Sequence, residues 1–126
     1  MNDNVILLVE DNPDDEALTL RALKKNNIVN QVVVARDGAQ ALDYLFGTGE
    51  YSERDPNQVP QVVLLDLNLP KINGLEVLRQ LRADQRTKLL PVVILTSSIE
   101  EQDRFKGYDL GANSRWRIAQ QDSSFP

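Results

Sequence analysis

Short apolar runs of strand length alternate along the chain with segments whose apolar residues recur at helical spacing. Four of these runs are continuous, and they cover Val5–Val9, Val32–Ala35, Val62–Leu65 and Val92–Leu95. Continuous β-branched runs are typical of strands that are buried on both faces, as in a parallel sheet. The alternation therefore predicts βαβ units and an α/β fold built on a parallel sheet.

The segments between the runs predict the helices. Asn12, with Pro13 and the acids that follow it, has the composition of a helix start, so a first helix is expected from about Pro13 to Asn26. Apolar residues at helical spacing predict a second helix over 39–46 and a third over 75–81. A capping box formed by Ser98 and Glu101 predicts a fourth helix towards Leu110.

A turn, a helix stop and a loop are also predicted between these elements. Asp37-Gly38 is predicted to be a turn before the second helix, and Gly47 is predicted to stop that helix. The stretch from Gly47 to Asn57 is polar and longer than most connections, which predicts a surface loop. No repeat or linker divides the chain, so residues 1–126 are expected to form a single domain.

Composition narrows the class of protein. The chain has no cysteine and no histidine, which excludes disulfides, thiolate or imidazole metal ligands, and a phosphohistidine on this chain. The net charge is −5 and no basic block interleaved with aromatics occurs, so a protein is a more plausible partner than nucleic acid. No apolar run approaches membrane-span length and no signal sequence is evident, so we expect no membrane association and a cytoplasmic location.

Acidic and hydroxyl residues follow three of the predicted strands. Glu10 and Asp11 follow the first run, Asp66 follows the third, and Thr96 follows the fourth. The carboxyl ends of parallel strands meet at one edge, where ligands bind in doubly wound sheets. Three carboxylates there would repel one another unless a cation such as Mg²⁺ offset them. Asp66 could then be a metal ligand or a nucleophile towards phosphorus, with Thr96 donating a hydrogen bond to the transferred group.

Each segment alone also has a purely structural interpretation. Glu10–Pro13 is an ordinary acidic helix start, and Asp66–Pro70 is an ordinary turn after a strand. Thr96 belongs to a Thr-Ser-Ser segment that resembles a helix cap, although Ser98 already serves as the cap. The joint occurrence of these segments, after three different strands, favours a functional site.

The same segments resemble a known family. Val5–Pro13 (VILLVEDNP), Val62–Gly74 (VVLLDLNLPKING) and Val92–Ser97 (VVILTS) are similar to the receiver domain of bacterial two-component response regulators, over about residues 5–114. The resemblance implies a doubly wound, flavodoxin-like, five-stranded parallel sheet in the order 2-1-3-4-5, with helices on both faces. A chemotaxis member of this family is a standard example of that order.

The resemblance also implies a role for each site residue. Asp66 matches the phosphoacceptor. Asp11 and Asp66 match direct Mg²⁺ ligands, together with the backbone carbonyl of Asn68, and Glu10 matches the acid that acts through water. Thr96 matches the switch hydroxyl that turns towards the phosphoryl group.

The partners follow from the same resemblance. A sensor histidine kinase is the expected phosphodonor, and the 45–56 and 75–91 segments resemble single-domain regulators that partner phytochrome-type kinases. The expected output is contact with a downstream protein target or transfer to a phosphotransfer protein, and the family often forms homodimers. We expect a phosphoacceptor with at most slow autodephosphorylation rather than an enzyme.

Residues 115–126 depart from the family pattern. Arg115 stands at the aromatic switch position, Ile118 at the lysine position and Ala119 at the proline position, and the final helix is expected to be missing or incomplete. The abrupt change after Ser114 favours a truncated or frame-shifted product, or final residues that do not represent the working protein, over a divergent natural terminus. With Ile118 in place of lysine, impaired phosphorylation or switching is expected.

Two other classes stay open at this point. The first is a receiver-like binding module that acts without phosphorylation, which the loss of the lysine favours and the retained acids oppose. The second is a haloacid-dehalogenase-like phosphatase, which also uses an aspartate nucleophile at a strand end. That class needs a second acid two residues later, where this chain has Asn68.

Overall fold

Five strands form one parallel sheet. The computed structural model describes residues 4–66, 69, 73–96 and 114–117, and for Thr96 and residues 114–117 it describes the backbone alone. The strands are β1 (Val5–Val9), β2 (Gln31–Ala35), β3 (Val62–Asp66), β4 (Val92–Thr96) and β5 (Ser114–Arg117). Their order in the sheet is β2-β1-β3-β4-β5, which confirms the predicted fold class.

Helices cover both faces of the sheet. They are α1 (Pro13–Lys25), α2 (Gly38–Phe46) and α3 (Gly74–Ala83), and a short 3₁₀ helix spans Gly49–Tyr51. The strand and helix bounds agree with the predicted ones to within a few residues, but the 47–57 stretch holds that 3₁₀ helix as well as turns. None of the helices in the described ranges is long and apolar enough to cross a membrane.

The core consists of two apolar layers separated by the sheet. One layer joins α2 and α3 to the side chains of Val5, Leu7, Val9, Val63, Leu65, Val92 and Ile94. The other joins α1 to the alternate side chains Ile6, Leu8, Leu64 and Leu95. Since successive side chains of a strand point to opposite faces, a continuous apolar run supplies both layers at once.

Helix ends are fixed by side-chain caps. The Asn12, Asp37 and Asn73 side chains accept backbone N–H bonds at the starts of α1, α2 and α3. The predicted turn at Asp37-Gly38 is therefore the start of α2, with Gly38 as its first residue. Gly47 ends α2 with a φ of +68°, in the left-handed region that favours glycine, which confirms the predicted stop.

Several predictions fall outside the described residues. They concern the fourth helix over 98–110, the Asn68 carbonyl, and the positions of Ile118, Ala119 and the final helix. β5 is described as far as Arg117, whose backbone is in register with Thr96 of β4.

Candidate metal centre at the carboxyl ends of the strands

Three acids meet at the carboxyl edge of the sheet. One carboxylate oxygen from each of Glu10, Asp11 and Asp66 lies within 4.8 Å of the other two. Glu10 and Asp11 follow β1, whereas Asp66 is the last residue of β3. The structure therefore brings together the three acids that the sequence predicts to share a site.

Strand register explains why these acids meet. β1 and β3 are adjacent and parallel, and Val9 is paired with Leu65. The residues that follow this pair along the two strands are Glu10 and Asp66. The Glu10 N–H also donates to the Ala35 carbonyl of β2 at 2.9 Å, which extends the sheet hydrogen bonding one residue past β1. The sheet itself thus fixes the backbone that carries two of the three carboxylates.

Glu10 is the buried member of the cluster. Its relative exposure is 0%, and its Oε1 atom has no hydrogen-bond donor among the residues that the structure describes. Its Oε2 atom accepts a hydrogen bond from the Asn12 backbone N–H at 3.3 Å. A buried carboxylate with an unsatisfied oxygen is unfavourable, and this requires some compensation.

The pKa of Glu10 shows that ionisation of this buried carboxyl is unfavourable. Burial raises the pKa of Glu10 from 4.5 to about 9, and the negative charge of Asp66 and a hydrogen bond shared with its carboxyl act in the same direction. The Asn12 N–H opposes them because it favours the ionised form. Without a cation, the site therefore keeps a proton on Glu10 at neutral pH.

Asp11 and Asp15 complete the acidic surroundings. Asp11 is exposed, whereas Asp15, in the first turn of α1, is half-buried. Burial raises the pKa of Asp15, and the charges of Asp66, Asp14 and Asp11 add to the effect. The sequence alone presents Asp15 only as a first-turn helix acid, because its nearness to Asp66 depends on contacts between separate segments.

This donor set suits a hard divalent cation. Three carboxylates within reach of one another, one with an orphaned buried oxygen, supply the oxygen ligands and negative charge that Mg²⁺ or Mn²⁺ prefers. Thr96, another predicted site residue, is the last residue of β4. The residue before it, Leu95, is in register with Asp66 of β3. Asn68 lies outside the described residues.

Comparisons with known proteins agree with this geometry. A family profile described as "Response regulator receiver domain" matches residues 6–115. The chain is 43% identical over 109 residues to the response regulator Rcp1 of Synechocystis sp. (strain ATCC 27184 / PCC 6803 / Kazusa), covering 86% of this chain and 72% of that protein. The family match therefore spans most of the chain.

Solved structures give the same answer. The bacteriophytochrome response regulator AtBRR superposes with a TM-score of 0.83 at 53% identity, covering 93% of this chain and 85% of that one. The Mn(2+)-bound form of Rcp1 superposes with a TM-score of 0.75 at 40% identity, covering 90% of this chain and 79% of that one.

Proposed function

Because this chain belongs to the response regulator receiver domain family, we propose that Asp66 is its phosphoacceptor and that a sensor histidine kinase is the phosphodonor. The observation that carries the proposal is the meeting of Glu10, Asp11 and Asp66 within 4.8 Å at the carboxyl edge of the sheet. A lone strand-end aspartate has a structural explanation, whereas a cluster of three carboxylates, one of them buried, is better explained by a bound cation.

Phosphoryl transfer to Asp66 follows from ordinary carboxylate chemistry. A carboxylate oxygen of Asp66 attacks the phosphorus of the donor phosphohistidine, and an O–P bond forms while the P–N bond breaks. The electron pair of the P–N bond stays on the imidazole nitrogen, so the donor leaves as histidine. The product is an aspartyl phosphate, and no net oxidation occurs.

The acidic cluster fits a divalent cation, which we propose to be Mg²⁺. Asp11 and Asp66 would hold it directly, together with the Asn68 backbone carbonyl, and Glu10 would act through water. When bound, the cation neutralises charge on the transferring phosphoryl group and on the carboxylates. The Mn(2+)-bound form of Rcp1 supports this assignment, because that relative takes a divalent cation.

Thr96 is proposed to be the switch hydroxyl. It is the last residue of β4, the strand beside β3, so its backbone lies at the same edge as Asp66. A hydroxyl that hydrogen-bonds the new phosphoryl group would couple phosphorylation to the surface formed by β4 and the segment after it. Thr96→Val, which replaces the hydroxyl by a methyl group of similar size, should leave phosphorylation intact and abolish phosphorylation-dependent partner binding.

The kinase is proposed to be of the phytochrome type. Support comes from the similarity to AtBRR and to a second bacteriophytochrome response regulator, RtBRR, at 53% and 50% identity. The output is proposed to be a protein contact or onward phosphotransfer, with slow autodephosphorylation resetting Asp66. Formation of a homodimer and location in the cytoplasm stay predictions from the sequence.

The first experiment tests Asp66 without any kinase. The purified chain is incubated with Mg²⁺ and phosphoramidate, whose P–N bond mimics phosphohistidine, beside an Asp66→Asn control. Intact mass spectrometry should show one added phosphoryl group of about 80 Da in the unsubstituted chain alone. Chelation of the metal should abolish the gain.

Three other results would redirect the proposal. Equal modification of both chains would place the phosphoryl group on another residue. A folded, Mg²⁺-binding chain that gains no mass would favour the binding module that acts without phosphorylation. Release of inorganic phosphate from a general phosphomonoester, abolished by Asp66→Asn, would instead favour the phosphatase alternative.

A further inference from the structure

Asn12 joins the acidic site to the start of α1. Its side-chain Oδ1 accepts hydrogen bonds from the backbone N–H groups of Asp14 at 2.8 Å and Asp15 at 3.2 Å. Its own carbonyl accepts from the Glu16 N–H at 2.9 Å. Three hydrogen bonds therefore hold one residue, Asn12, in a fixed orientation relative to the helix.

The backbone of Asn12 is restricted further by its neighbour. Because Pro13 follows, the helical conformation is disfavoured at Asn12, which has φ −93° and ψ 118°, in the extended region. The chain must therefore turn from β1 into α1 over Glu10, Asp11 and Asn12 alone. Asn12 is therefore adjacent in sequence to Asp11 and two residues from Glu10.

The other side of Asn12 faces the acidic site. Its backbone N–H donates to Glu10 Oε2 at 3.3 Å, whereas Glu10 Oε1 has no donor among the described residues. An N–H that donates to a carboxylate oxygen favours the ionised form, which is the form that binds a cation.

We infer that Asn12 is a positioning residue: its side-chain cap on α1 holds its backbone N–H against Glu10 and thereby orients one acid of the divalent-cation site. This inference rests on the proposed function, because it assumes that the acidic cluster binds a cation. It differs from a helix cap that only stabilises α1, since it couples the cap to metal affinity.

Three substitutions separate the two roles. Asn12→Ser keeps a capping oxygen; Asn12→Gly is an acceptable N-cap residue without a side-chain acceptor; and Asn12→Ala is a poor N-cap. Asn26→Ala is the matched control, because the Asn26 side chain donates to the Ala22 carbonyl at 2.8 Å at the opposite end of α1. The readouts are Mn²⁺ affinity, measured by electron paramagnetic resonance with the metal alone, and unfolding in urea.

Loss of an outer-shell partner typically weakens metal binding about 10- to 100-fold. We expect Asn12→Gly and Asn12→Ala to weaken Mn²⁺ binding by about 10-fold, and Asn12→Ser and Asn26→Ala to bind within about threefold of the parent. Asn12→Gly should do so while remaining nearly as stable as Asn12→Ser.

The remaining outcomes contradict the inference. Parent-like Mn²⁺ affinity in Asn12→Gly and Asn12→Ala would make Asn12 a cap alone. Affinity that follows stability across all four variants, Asn26→Ala included, would assign the effect to general loosening of α1. A folded parent chain that binds no Mn²⁺ would overturn the metal site itself and, with it, the proposed function.

Discussion

The two ends of the sheet satisfy their polar groups in opposite ways. At the carboxyl edge, Glu10, Asp11 and Asp66 crowd together with like charge. At the other edge lies a segment, residues 47–60, that we call the Arg54 loop. In this loop the Arg54 guanidinium donates hydrogen bonds to backbone carbonyls. We propose that a bound cation offsets the charge of the first region, whereas in the second region the arginine finds its acceptors within the described residues.

The guanidinium of Arg54 makes the contacts that hold this loop together. Its guanidinium lies 3.9 Å from the centre of the Tyr44 ring, and its Nη1 donates to the Tyr44 carbonyl at 2.7 Å. Its Nη2 donates to the Gln58 carbonyl. Tyr51 packs edge-on against Tyr44, with ring centres 5.1 Å apart. The loop is therefore a folded unit despite its polar composition.

The acidic site shows the reverse arrangement. Burial and charge repulsion raise the pKa of Glu10 to about 9, and one of its oxygens has no donor among the described residues. Unfavourable local interactions of this kind concentrate at functional sites, where a ligand relieves them. Unfavourable contacts between neighbouring groups therefore indicate the functional site better than polar composition alone does.

The largest expected effect is the pH dependence of stability that Glu10 causes in the metal-free protein. Without metal, the folded state holds a proton on Glu10 up to a pKa of about 9, whereas the ordinary value is 4.5. The resulting stabilisation is complete below the ordinary pKa and is lost as pH rises through the window between the two values. Metal-free stability should fall by about 1 kcal/mol per pH unit from about pH 5 to about pH 8.

Urea unfolding in the presence of a chelator measures this slope. Glu10→Gln, which stays neutral, should flatten the profile, and the exposed Glu53→Gln serves as the control that should not. A parent profile that is already flat across the window would mean that the folded state does not hold the proton.

Arg54→Ala should give the next largest effect, a loss of about 2 kcal/mol in unfolding free energy. It removes two hydrogen bonds from a charged donor and a cation–π contact together. Arg86→Ala is the matched control, because Arg86 lies 5.5 Å from the Phe46 ring centre and pairs with Asp84 near the surface. That change should cost less than about 1 kcal/mol.

Divalent-cation affinity sharpens the same test. Arg54→Ala should leave it unchanged, since the Arg54 loop lies at the opposite edge of the sheet. A parallel loss of affinity in Arg54→Ala would show that the two regions are coupled rather than independent.

Asp11→Asn should weaken Mg²⁺ binding about 10- to 100-fold while raising the stability of the metal-free protein, because it removes both a proposed ligand and a repulsive charge. Isothermal titration calorimetry measures the affinity. Asp14→Asn, an exposed acid of the first turn of α1, is the control and should change affinity only slightly. Equal losses in both variants would indicate a diffuse effect of negative charge.

Ile118→Lys should give the smallest effect, a rise of about 10-fold in the rate of phosphorylation by phosphoramidate. This prediction rests on the family resemblance, in which a lysine at this position neutralises phosphoryl oxygens. Ile118→Gln, which is of similar length but uncharged, is the control. An unchanged rate would show that the site works without that cation.

Much of the fold could be predicted because the signals are local. Val5–Val9 is a buried apolar run and is the observed β1, and Asn12 with Pro13 marks the observed start of α1. The meeting of Glu10 and Asp66 also followed from parallel strand ends. These predictions needed only periodicity, capping and the geometry of a parallel sheet.

The parts that were missed depend on contacts between segments. Sequence reasoning did not distinguish buried Glu10 from exposed Asp11, because the packing around a strand end decides which neighbour is covered. Nor could it find the Arg54 contacts, since Tyr44 and Arg54 are ten residues apart and on different elements. Polar composition alone predicted a plain surface loop.

The central claim is that the acidic edge is incomplete until a divalent cation binds. Thermal unfolding of the parent chain and of Asp11→Asn, each with and without millimolar Mg²⁺ at about pH 8, tests it most directly. Binding to the folded state alone should raise the melting temperature of the parent by about 5 °C and that of Asp11→Asn hardly at all. A melting temperature that Mg²⁺ leaves unchanged in the parent, or raises equally in both chains, would contradict the account.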